Sequence, residues 1–199
     1  LAKLSMTHAV FFDVLPKQGF ADAYFGMAGG LKPIVEKIPG FLSVERFENL
    51  DKPGWYLSFS QWVDEAALSA WRCQHDHHEA QVCGRNLVLE DYRLRVGTSI
   101  SGLKEGAFSS KALVAAVVGG FDSVLSDAKT LTMNFGKTPR IFKGAIDKER
   151  GIALIDLSFT DALAMDISSN ANEMATIELF QIDRDYGMFD RAQAPGVFA

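Results

Sequence analysis

Between Trp71 and Glu79 the chain reads Trp-Arg-Cys-Gln-His-Asp-His-His-Glu, which sets three of its four histidines beside a tryptophan. An imidazole titrates near neutral pH, so a histidine here can take a proton from a hydroxylic ligand. The spacing predicts a helix from Glu65 to about Gly84, whose inward face carries Leu68, Trp71, His75, His78 and Val82. On that face Trp71 either walls a pocket or packs a core. His78 either accepts a proton or is a satisfied, half-buried histidine. A metal is the alternative chemistry for such a run. His75 and Glu79 stand four apart and project together, but His77 points away from both His75 and His78 and no third ligand adjoins, so no metal site is assigned.

Tyr92 and Arg93 are consecutive on a predicted strand and must face opposite sides of the sheet, so at most one of them lines a given pocket. Arg93 can stabilise an anion by charge, or act as a paired surface group, and Arg95 shares its side. Trp62 lies on a strand face with Tyr56, Ser58 and Ser60, opposite Trp55, Leu57, Phe59 and Val63. The two cysteines, Cys73 and Cys83, are ten residues apart in the predicted helix, about 15 Å along its axis, too far to bridge, and read as buried or half-buried thiols.

The elements that position these residues follow from periodicity. His8 to Leu15 is a strand, and Phe20, Tyr24, Met27, Leu31, Ile34, Val35 and Ile38 mark a helical face that Gly29-Gly30 and Pro33 should kink or divide. Phe41 to Asn49 and Trp55 to Val63 form a hairpin, the helix from Glu65 follows behind the N-cap Asp64, and Asn86 to Val96 is a fourth strand. Large aromatics fall on both faces of these strands, so the face away from the helices should meet another sheet. The order strand, helix, strand, strand, helix, strand is that of a ferredoxin-like unit, taken to span residues 5–102. After the Gly/Ser-rich stretch 97–110 the pattern restarts. Lys111 to Val118 is a strand, Phe121 to Phe135 a helix, Arg140 to Ile146 and Gly151 to Phe159 a hairpin, Asp161 to Met174 a helix and Ala175 to Asp183 a strand. The stretches YLSFSQWVDEAAL from Tyr56 and LIDLSFTDALA from Leu154 are alike, which points to an internal duplication with a second unit at 111–185 and an irregular tail at 186–199. The predicted class is α+β, with two tandem βαββαβ units pairing their sheets as a dimeric α+β barrel within one chain. The second unit has no histidine or tryptophan and reads as a structural half that completes the pocket of the first.

The chain has 199 residues, 48% of them hydrophobic, and a net charge of -5 with dispersed Lys and Arg, which gives no footprint for nucleic acid. No apolar run approaches the roughly 20 residues that span a bilayer, and no membrane partner is expected. A cytoplasmic location is the expectation, with a homodimer open.

The motifs Ile38-Pro39-Gly40-Phe41-Leu42-Ser43-Val44-Glu45-Arg46-Phe47, Tyr56-Leu57-Ser58, Trp62, Asp64-Glu65, Ala70-Trp71-Arg72, His78, Gln81, Gly84-Arg85 and Asp91-Tyr92-Arg93 resemble the antibiotic biosynthesis monooxygenase family, of the dimeric α+β barrel superfamily, over roughly residues 5–97. The resemblance implies a pocket between sheet and helices, with Trp71 at the family's pocket tryptophan. It also implies an oxygenase that needs no flavin, metal or other cofactor. Its electron-rich phenol or quinol is deprotonated and itself reduces dioxygen, while the protein binds, orients and excludes water. The partners are then a small aromatic substrate and dioxygen, with His78 and Trp71 as catalytic candidates and Tyr92, Arg93, Trp62 and His75 as substrate-binding candidates. Related heme-degrading enzymes have an Asn on the first strand and an axial His ten residues after the Trp. Here the first strand is HAVFFDVL and that position is Gln81, so heme handling ranks third. A non-enzymatic binding or stress-response module on the same scaffold stands second.

Overall fold

A computed structural model describes residues 6–100, 111–164 and 175–196. Among the described residues eight antiparallel strands close into one barrel in the order β1-β3-β2-β6-β7-β5-β8-β4. The first half consists of β1 (His8–Pro16), α1 (Ala21–Val35), β2 (Phe41–Asn49), β3 (Tyr56–Trp62), α2 (Glu65–Arg72), α3 (His75–Cys83), a π-helical turn (Gly84–Val88) and β4 (Leu89–Ser99). The second consists of β5 (Leu113–Gly120), α4 (Phe121–Phe135), β6 (Arg140–Gly144), β7 (Arg150–Leu157), α5 (Phe159–Ala164) and β8 (Ala175–Gly187). The continuation of the last predicted helix to Met174 lies outside the described residues.

Alternation along the strands sorts side chains to two sides. Ala9, Phe11, Phe47, Leu57, Phe59, Val114, Ala116, Phe142, Ile152, Leu154 and Phe180 fill the barrel interior. There the Phe11 ring lies 5.2 Å from Phe59 and 5.4 Å from Phe180, so aromatics from both halves share one core. The pairings of β2 with β6 and of β4 with β8 join the halves at both edges, which removes the free edges that invite aggregation.

One end of the interior carries a charged cluster. Arg95 is 1% exposed and donates to Asp13 at 3.1 Å, with Arg140 and Asp156 beside them. Burial lowers the Arg95 guanidinium from its ordinary value, Arg140 adds to that, and Asp13 opposes it.

Three expectations are corrected. First, α1 runs unbroken through Gly29-Gly30 and Pro33, because all three lie on its solvent face, where water can satisfy the carbonyl that Pro33 leaves without a donor. Second, the long helix from Glu65 is two helices. Asp64 caps α2 by accepting from the Ala67 N–H at 2.8 Å, and Gln74, in extended backbone, caps α3 by accepting from the His77 N–H at 2.7 Å. One extended residue resets the helical phase, so His75 and Val82 leave the inward face. The π-helical turn then delays the fourth strand to Leu89. Third, Cys73 is exposed, while Cys83 is half-buried.

Candidate functional site

A cavity of about 390 Å³ lies between the outer face of β1–β4 and the helices α1, α2 and α3. The sheet contributes Val10 and Phe12 from β1, Val44 and Arg46 from β2, Ser58, Ser60 and Trp62 from β3, and Tyr92, Leu94 and Val96 from β4. The hydroxyl-bearing Ser58 and Ser60 are small, so the middle of the sheet stands back from the helices. Trp62 is fully buried and donates its indole N–H to Ser60 at 3.0 Å.

Trp71 of α2 stands over this wall. Its ring centroid is 6.4 Å from that of Trp62 at 26°, and the His77 ring stacks on it at 4.1 Å and 11°. His77 Nδ1 lies 2.9 Å from the Trp71 carbonyl oxygen. A carbonyl only accepts, so Nδ1 carries the proton and the neutral ring keeps its lone pair on Nε2. Burial pushes the His77 imidazole down to about 4; the hydrogen bond to Trp71 opposes this and His78 adds to it. His77 is therefore a neutral base at neutral pH.

Of the sequence candidates, Trp71, His78, Trp62 and Tyr92 all line the cavity. Arg93 and His75 do not. Arg93 turns to the other side of β4 and pairs with Asp185 at 2.6 Å, and His75 is exposed beside Glu79 at 3.4 Å. His77 takes the inward place because of the break at Gln74, for which the sequence carries no strong cap signal.

The second half also reaches this cavity. Its β8 carries a bulge at Asp183, where the register with β4 shifts so that Val96 pairs with Arg184 and Gly97 with Ile182. The extra residue flips the rest of the strand, and Arg184 and Tyr186 point to the outer face and line the cavity. Arg184 donates to Glu65 at 2.8 Å, and Arg191 of the tail donates to the Tyr92 hydroxyl at 2.6 Å.

Arg46 and Ser58 are cross-strand partners on the same face, and both line the cavity with Tyr24 of α1. Burial raises the Tyr24 phenol from its ordinary value, against Arg46 and Ser58, so it stays protonated. Six cationic side chains line the cavity, Lys32, Arg46, Arg72, Arg85, Arg184 and Arg191, and among the described residues no Asp or Glu does.

Among the described residues no group of three or more His, Cys, Asp and Glu side chains is arranged to hold a metal ion, and no helix is long and apolar enough to cross a membrane.

Comparison with known proteins bears on this site. The model of the antibiotic biosynthesis monooxygenase family matches residues 8–82, which hold most of the cavity wall. The jasmonate monooxygenase ABM of Pyricularia oryzae is 31% identical over 206 residues, covering 94% of this chain and 96% of its own length. Among solved structures, an aldoxime dehydratase superposes with a TM-score of 0.55 at 8% identity, over 89% of this chain and 81% of its own, which concerns the fold alone. An anthrone oxidase-like protein aligns over 98% of both chains at 11% identity with a TM-score of 0.40. With a relative of this similarity spanning both halves, the chain belongs to the antibiotic biosynthesis monooxygenase family.

Proposed function

We propose that this chain is a cofactor-independent monooxygenase of a small aromatic phenol or quinol. The observation that carries the reading is the aromatic-walled cavity of about 390 Å³ with imidazoles in its wall, a volume suited to a small ring compound. In this reading Trp71 and Trp62 border and orient the ring, and His78 removes the hydroxyl proton, with neutral His77 holding the indole of Trp71 in place. The phenolate then gives dioxygen four electrons in two steps, two as a ring carbon bonds to it as a hydroperoxide and two as that carbon loses its proton and the O–O bond breaks. One oxygen atom is inserted into the ring, the other leaves as water, and a phenol becomes a quinone with two hydrogens fewer. Tyr92, fixed by Arg191, contributes polarity at the cavity wall.

The β-α-β-β-α-β order, present in 8–99 and again in 113–187, supports reading the two halves as duplicated ferredoxin-like units, the second retained as a scaffold that lends Arg184, Tyr186 and Arg191 to the first.

A second reading replaces the phenol with a small apolar carboxylic acid. The cationic, acid-free lining favours it, and jasmonate, named for the relative's activity, is such an anion.

The test is oxygen consumption by purified, metal-free protein with a panel of hydroquinones and anthrone-like phenols. Uptake above the uncatalysed rate should fall by roughly 10²-fold or more in His78→Ala and substantially in Trp71→Phe. No uptake with any compound, and no change in tryptophan fluorescence on adding them, would leave a binding module for another ligand.

A further inference from the structure

The six cations of the cavity wall are not equivalent. Arg184 is neutralised by Glu65 at 2.8 Å and Lys32 lies 3.9 Å from Glu36. Arg191 is held by the Tyr92 hydroxyl at 2.6 Å and Arg72 by the Ser69 hydroxyl at 3.2 Å. Arg46 is the one cation of the lining that comes from β1–β4. Among the described residues no carboxylate pairs with it. Its Nη2 makes a long 3.3 Å bond to the Ala28 carbonyl, and its Nε is shut off from solvent with no hydrogen-bond partner.

A guanidinium that gives up water without gaining a counter-ion is costly, and an unmet N–H beside it adds to the cost. A bound anion relieves both. The neighbouring groups suit one, because the Tyr24 and Ser58 hydroxyls can turn their protons toward an oxygen placed beside Arg46. Ser58 and Ser60 leave room on the sheet for that oxygen, and Trp62 and Trp71 flank the space where the rest of the molecule would lie.

We infer that Arg46, with the Tyr24 and Ser58 hydroxyls, is the anchor for an oxyanion of the substrate, so that the cavity selects small, mostly apolar molecules in their anionic form. The inference rests on the cavity being the substrate site but does not depend on turnover. A carboxylate and a phenolate share the chemistry recognised here, and binding experiments separate them.

The experiment is calorimetric titration of the full chain with naphthoate, its neutral isostere naphthamide, and naphthol below and above its own ionisation. The measurements are repeated on Arg46→Met, Arg46→Lys and Arg85→Met. The expected result is binding of an anionic probe at least roughly tenfold tighter than of its neutral counterpart. That preference should vanish in Arg46→Met, be partly kept in Arg46→Lys and persist in Arg85→Met, while naphthamide binding stays constant and reports an intact cavity. A preference for naphthoate over naphthamide identifies a carboxylate. A preference seen only on ionising naphthol identifies a phenolate. Equal binding of charged and neutral probes, absence of binding by any anion, or a preference that survives Arg46→Met or is lost in Arg85→Met overturns the inference. If the anion selectivity is found without oxygen uptake, the anchor stands and the oxygenase reading fails.

Discussion

The two outer faces of the barrel carry the same order of elements and differ in what fills them. On the second, Leu113, Ala115, Val117, Ala153 and Ile155 of the sheet interlock with Val124, Ala128 and Leu131 of α4, all at most 2% exposed. On the first, the corresponding space holds a cavity of about 390 Å³. The difference lies in a few side chains. Ser58, Ser60 and Arg46 stand on the first sheet's helix side, whereas the residues named on the second are all aliphatic, and Trp62 and Trp71 border the cavity. The helix that follows β3 breaks at Gln74, while α1, which holds the place of α4 in the element order, runs for 15 residues just as α4 does. The cavity therefore accompanies a sheet face with polar residues among its apolar ones, not a different order of elements.

Matched substitutions put this contrast under strain. Leu131→Ala, in the packed face, should lower stability by about 2–5 kcal/mol in urea unfolding, whereas Leu31→Ala, whose side chain borders the cavity, should cost under about 1 kcal/mol. Equal losses would mean that the first face is closed around Leu31 in solution. The faces should also differ toward acid, since the second half has no histidine. His77, held near 4 against an ordinary 6.5, favours the folded state fully above about pH 6.5, and this contribution is lost as the pH falls through about 4. The loss is at most about 3 kcal/mol. His77→Gln should flatten that part of the stability curve between pH 7 and 4, and an unchanged slope would place the sensitivity elsewhere. The smallest contrast is in added volume. Ala128→Leu overfills the second face and should cost about 1–3 kcal/mol, while Ala28→Leu should change stability by less than about 1 kcal/mol and weaken naphthoate binding. A large cost at Ala28 would show that the cavity has no room to give.

Most strands were readable because alternation over seven or more residues is a strong signal, as in Phe41 to Asn49, and the face shared by Ser58, Ser60 and Trp62 followed from it. Helix starts marked by Asp64 and Phe121 were also readable. The break at Gln74 was not, because glutamine is a weak cap and the residues on both sides suit a helix. That one miss moved His75 out of the site and His77 into it. Arg93 was a misassignment of a different kind, since two adjacent strand residues gave opposite faces without saying which faced the helices. The contribution of Arg184 and Tyr186 depends on a bulge that shifts register where Val96 pairs with Arg184, 88 residues on in the chain, a signal that no local pattern carries.

Legible in the residues are the α+β class, two sheets paired as a barrel, an inward helix face for Trp71 and His78 and one strand face for Ser58, Ser60 and Trp62, because periodicity and capping act over short stretches of chain, while the family rests on separated motifs. The folded molecule adds which strands make the seams, β2 with β6 and β4 with β8, that one outer face holds a cavity, and that Arg46 of β2 and Tyr24 of α1 line it together. Those outcomes depend on volumes and charges brought together from distant segments, and no residue carries them in its own neighbourhood of the chain.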